Sequence, residues 1–153
     1  MIRTFFLTMS KTNNQYTYAT VESLTGGTLA ALFTSCSGSS NYYIGGTVAY
    51  NESVKRDLGI TTIDKYCDTT LAIDLANASP IKADVIISTT GYIDSCYSYC
   101  IIIGNEEHIE HIEIDDYTLS LPRPTRQIEI SRHILYSVYE LTHDKNLQTI
   151  INK

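Results

Sequence analysis

The segment Ala83-Asp84-Val85-Ile86-Ile87-Ser88-Thr89 is a nearly continuous apolar run of strand-forming residues. Such a run marks a strand buried within a sheet rather than one with a wet face. A sheet of that kind needs cover, and extended and helical segments intermix along the whole chain. Tyr16 to Val21, rich in Tyr, Thr and Val, reads as a short strand. Ser23-Leu24-Thr25-Gly26-Gly27 breaks it, and Thr28 to Thr34 follows with helical character. Tyr42 to Tyr50 reads as a second strand, and Asn51 to Leu58 as a short helix stopped by Gly59. Asp68 caps a helix through Leu71, Ala72, Leu75 and Ala76 that ends before Pro80. Past a turn at Gly91 to Asp94, Tyr97 to Ile103 and His108 to Tyr117 read as strands. Arg126 to Leu141 is an amphipathic helix with Ile130, Ile134, Leu135, Val138 and Leu141 inward, and Asp144 to Lys153 a frayed tail or one last turn. This order predicts an α/β fold, a sheet covered by helices, in one domain spanning 1–153.

Composition narrows the function classes. With 153 residues, 43% of them apolar, the chain can bury a core of its own. A net charge of −6 argues against general nucleic-acid binding, which needs Lys and Arg to displace counterions from phosphates. A local phosphate site stays compatible, because a helix N-terminus binds an anion without net positive charge. No apolar run approaches the roughly 18 residues of a membrane span. The opening Met1 to Leu7 holds only a few consecutive apolar residues before the chain turns polar, too few for the signal-peptide core of about 7–15, so a soluble, cytoplasmic protein is expected. The four cysteines, Cys36, Cys67, Cys96 and Cys100, read as reduced, partly buried thiols. Cys96 and Cys100 share a strand face, but a metal would need two further ligands that the neighbouring sequence does not supply. His108 and His111 fall on opposite faces of a strand, and Glu106 to His111 reads as a solvated edge with gatekeeping charges. No metal and no cofactor are expected.

Two residues offer chemistry. Ser23 stands where a β-rich segment meets a glycine pair that opens a helix, and unpaired N–H groups at such a start stabilise an oxyanion or a phosphate. Thr25, Gly26 and Gly27 would supply them; the plain alternative is that Ser23 only caps the helix. Lys55 is either a solvated lysine or, if burial lowers its pKa, a base toward a serine. The sequence by itself does not bring the two together.

Glu22-Ser23-Leu24-Thr25-Gly26-Gly27 resembles the Glu-Ser-Cys-Thr-Gly-Gly signature of the CinA C-terminal domain family, with Leu in place of Cys. Gly38-Ser39-Ser40, Gly45 to Tyr50 and Tyr50-Asn51-Glu52-Ser53-Val54-Lys55 follow in the family's order, and Ala83-Asp84 with Thr90-Gly91 resembles a later element. The resemblance implies a three-layer α/β/α sandwich with a mixed sheet. It also implies hydrolysis of the carboxamide of nicotinamide mononucleotide to the acid and ammonia by a Ser/Lys pair. Carried over by position, Ser23 is the nucleophile and Lys55 the base. Tyr50, Thr25, Gly26, Gly27, Ser39, Ser40 and Thr90 line the substrate site, and Arg126, with Arg123 as its rival, meets the phosphate. The partner implied is a small-molecule nucleotide, and a homo-oligomer is compatible. Gly91 is followed directly by Tyr92-Ile93-Asp94-Ser95 and the next strand, where the family has a longer Gly/Pro loop. That motivates the alternative of a catalytically weak or inactive relative that binds a nucleotide or a protein partner.

Overall fold

The computed structural model describes residues 15–152; the expectations for Met1 to Leu7 and for most of the polar lead-in before Gln15 lie outside them. Five strands form one sheet in the order β2-β1-β3-β4-β5: β1 (Tyr18–Glu22), β2 (Tyr43–Val48), β3 (Val85–Tyr92), β4 (Cys96–Ile103) and β5 (Glu106–Glu113). β1 runs parallel to both β2 and β3, whereas β3, β4 and β5 form an antiparallel meander. The sheet is therefore mixed, as expected. Val85 and Ile87 on β3 are fully buried, which accounts for the apolar run.

Among the described residues there are six α-helices: α1 (Thr28–Thr34), α2 (Glu52–Asp57), α3 (Thr69–Asn77), α4 (Asp116–Ser120), α5 (Arg123–Thr142) and α6 (Lys145–Ile151). On one face, Leu29 and Phe33 of α1 join Ile130, Ile134, Leu135 and Val138 of α5 and Leu147 and Ile150 of α6 in a core with Tyr18, Val85, Ile87 and Tyr99 of the sheet. On the other, Ala72 and Ala76 of α3 pack on Cys100, and Leu71 and Leu75 on Val21 and Ala49. The result is three layers. Asp68 accepts from Thr70 N–H at the start of α3, as its position predicts.

Several expectations change. The tail after Asp144 is a helix, because Asp144 is buried and caps it while also accepting from Tyr18 Oη at 2.7 Å. The strand expected to reach Tyr117 stops at Glu113, where Asp115 accepts from Thr118 N–H and starts α4. Cys67 and Cys96 are not reduced thiols: they form a disulfide, since the segment before α3 lies against the start of β4; Cys36 and Cys100 are free.

Glu22, at the end of β1, is buried, and its carboxylate accepts from Leu29 N–H at 2.8 Å and Ala30 N–H at 3.0 Å. It thus fills the first turn of α1, where a negative charge is favoured. Replacing it with Gln would turn an N–H donor toward a backbone N–H in a dry site. Glu22→Gln is expected to lose about 1–3 kcal/mol of stability in urea denaturation.

Candidate functional site

Three strand ends converge on one edge of the sheet. β1 ends at Glu22 and hands Ser23 to the turn, β2 ends two residues before Tyr50, and β3 ends at Tyr92. Ser23 N–H donates to Thr89 O at 3.0 Å, so β3 holds the backbone of the turn. Thr25 Oγ1 and Thr89 Oγ1 share a hydrogen bond of 2.8 Å behind it.

Asn51 caps α2 by accepting from Ser53 N–H, and the short helix directs Lys55 inward. Lys55 is 0% exposed. Its Nζ lies 2.6 Å from Ala49 O, 3.0 Å from Tyr50 O and 3.1 Å from Ser23 Oγ. Burial disfavours the ammonium and pushes the lysine below its usual range, against a smaller opposing pull from Glu52. As an ammonium, Nζ donates to all three oxygens; as a neutral amine it donates to the two carbonyls and keeps its lone pair for the Ser23 hydroxyl. The geometry thus suits a base.

The pocket outside this pair has a volume of about 320 Å³ and is lined by Leu24, Tyr50, Tyr66, Tyr92, Asp94 and Arg123 among others. Tyr66 donates to Glu52 Oε1 at 2.6 Å, which raises its phenol to about 12, and its ring stands edge-on to Tyr92. Arg123 Nη2 donates to Tyr50 Oη at 3.3 Å across the mouth.

The residues singled out in the sequence divide into two groups. Ser23 and Tyr50 line the pocket, and the buried Lys55 amine meets both from behind, at Ser23 Oγ and the Tyr50 carbonyl. Thr25 is buried behind the turn, and Gly26 and Gly27 adopt left-handed backbone there. The helix start expected to cradle an outside anion already holds the Glu22 carboxylate. Ser39 and Ser40 lie in a short 3-10 turn before β2, at the opposite end of that strand from Tyr50. Thr90 is buried and donates to Tyr66 O at 2.7 Å, so it supports a pocket wall. Arg126 is tied to Leu121 O and, at 2.5 Å, to Asp94; Arg123 is the arginine in the pocket wall. Tyr92, in the short segment noted after Gly91, lines the pocket as that segment's position implies. The roles of Glu22, Tyr66 and Gln127, which donates to Leu24 O at 3.1 Å, were not apparent from the sequence.

Comparison with known proteins gives one family. The model of the CinA C-terminal domain matches residues 7–95. "Protein MG115" of Mycoplasma genitalium is 33% identical over 119 residues, which cover 66% of this chain and 74% of that protein. A "CinA-like protein" of Picosynechococcus is 53% identical over 51 residues, 33% of this chain but only 12% of the relative's length. Among solved structures, a CinA superfamily protein of Escherichia coli superposes with a TM-score of 0.74 at 19% identity, covering 84% of this chain and 81% of that one. Competence/damage inducible protein CihA of Agrobacterium tumefaciens gives 0.69 at 23% identity, covering 90% and 89%. These likenesses establish the α/β fold. Among the described residues no helix is long and apolar enough to cross a membrane.

Proposed function

Because the chain belongs to the CinA C-terminal domain family, we propose that it is a Ser/Lys amidohydrolase of the cytoplasm acting on a small nucleotide carboxamide, nicotinamide mononucleotide being the first substrate to test. The observation that carries this reading is the fully buried Lys55 amine 3.1 Å from Ser23 Oγ. In the reaction Lys55 takes the Ser23 proton as Oγ attacks the amide carbon. Among the described residues Leu24 lines the pocket and its N–H carries no hydrogen bond within the turn, which makes it the donor available to the oxyanion. Lys55 then returns the proton to the leaving nitrogen, ammonia departs, and water releases the acid from the acyl-serine by the reverse use of the same base.

The short turn favours a second reading. Tyr92 to Ser95 closes with Ser95 N–H on Tyr92 O, and Tyr92 is the one large side chain there, 46% exposed. So little cover positions a substrate loosely, and loose positioning costs rate by orders of magnitude. A catalytically weak or inactive binder of a nucleotide or protein partner is what that predicts. Ammonia release from nicotinamide mononucleotide separates the two, with Ser23→Ala measured beside the wild type. The amidohydrolase reading expects release that the variant lacks; equal background from both proteins would sink it.

A further inference from the structure

The sequence left Cys96 without companions for a metal, and β5 supplies them. Cys96 opens β4 opposite Glu113, and two residues on Ser98 stands opposite His111. Donor atoms of Cys96, His111 and Glu113 lie within 4.8 Å of one another, and Cys67 is bonded to Cys96. The proton positions around His111 can be deduced. Ser98 Oγ donates its single proton to Cys67 O at 2.6 Å. His111 Nδ1, 3.0 Å from that oxygen and 3.1 Å from Cys67 O, must therefore be the N–H donor. His111 Nε2, on the other side of the ring, lies 3.1 Å from Glu113 Oε1, so imidazole, carboxylate and the Cys96 sulfur stand as neighbouring donor atoms at one corner of the sheet.

We propose that this corner, once the Cys67–Cys96 bond is reduced, is a zinc site made of the two thiolates, His111 Nε2 and the Glu113 carboxylate. Two sulfurs, one imidazole and one carboxylate are a donor set that suits zinc over harder divalent cations. The Cys67 carbonyl behind Nδ1 orients the ring as the outer shell of a metal-bound histidine does. Tetrahedral donors around zinc stand roughly 3.3–3.8 Å apart, so Cys96, His111 and Glu113 close by about 1 Å while the two sulfurs, once unbonded, move apart by roughly 1.5 Å. Glu113, 79% exposed at its side chain, is free to make that movement, and His111, 40% exposed, leaves a path for entry. A dithiol reductant gives two electrons and two protons to the S–S bond and itself becomes a cyclic disulfide; zinc then releases the two thiol protons to solvent. Either state ties the segment carrying Tyr66 to the strand that follows the pocket turn.

The test uses the full chain, reduced with a dithiol, desalted without oxygen and titrated with cobalt(II) and then zinc(II). One equivalent of cobalt should give tetrahedral d–d bands with a thiolate-to-cobalt charge-transfer band, all removed by one equivalent of zinc. The oxidised protein should give none. Cys67→Ser and Cys96→Ser should abolish the charge-transfer signature of the pair, while Cys36→Ser keeps it. His111→Ala and Glu113→Ala change exposed side chains of an edge strand, and far-ultraviolet dichroism reports whether they fold. Each should weaken zinc by about tenfold or more. A reduced wild type with no thiolate band overturns the proposal. So does a folded His111→Ala protein whose titration superimposes on the wild type.

Discussion

Lys55→Arg is expected to lower turnover of an amide substrate by about 10²–10⁴-fold, the usual worth of a positioned general base, although the positive charge is kept. A guanidinium has five N–H donors and no lone pair, and it does not deprotonate in proteins. It could satisfy Ala49 O and Tyr50 O, but it could not accept the proton of Ser23. The wild-type pH profile supplies the companion result. Because burial lowers the Lys55 pKa, the rising limb of kcat/KM should lie below the ordinary lysine value of about 10.4. The same shift fixes the sign for stability. Between the folded and the unfolded pKa the unfolded chain binds more protons, so stability rises with pH across that window. At lower pH the folded protein carries the whole penalty of a buried ammonium. Steady-state rates and dichroism on both proteins decide the matter. A folded Lys55→Arg variant with unchanged turnover would reduce Lys55 to a structural group.

Gly91→Val should be the most destabilising of the single changes considered. Gly91 pairs with Tyr97 where β3 meets β4, at φ +149. A Cβ there would stand 2.5 Å from both Cys96 O and Tyr97 Cα, main-chain atoms of the paired strand that cannot rotate away. Backbone strain of about 1–3 kcal/mol and overpacking of similar size add to roughly 2–6 kcal/mol. At about 2–4 °C per kcal/mol for a domain of this size, Tm should fall by roughly 4–24 °C. Gly104→Ala is the control: its φ is +61, yet nothing lies within 4 Å of the added carbon. It should show the strain alone. A Gly91→Val protein melting with Gly104→Ala would mean that the β3–β4 pairing yields more easily than its geometry implies.

Local signals in the sequence carried most of the fold. Asp68 marks the start of α3 because capping is settled within two residues, and the apolar run at β3 reports burial on both faces. The site was legible in part. Ser23 and Lys55 stood out by motif, but the burial of Lys55 comes from α2 folding against the turn after β1, a contact across 32 residues. Glu22 looked like a plain neighbour of Ser23, because its two N–H partners lie seven and eight residues ahead across a turn. The Cys67–Cys96 bond spans 29 residues and joins two segments with no shared pattern. Ser39 and Ser40 were placed by resemblance, and resemblance in order along a chain does not fix which end of a strand a residue occupies.

The two oxygens that hold the Lys55 amine belong to the main chain at Ala49 and Tyr50. No substitution of a side chain can delete a carbonyl. Mutations that reshape the mouth, at Tyr50, Tyr92 or Arg123, therefore leave the amine anchored, provided the path of the chain after β2 is kept. The Ser23–Lys55 contact and the mouth of the pocket can then change independently, and substitutions selected at the mouth should leave that contact in place.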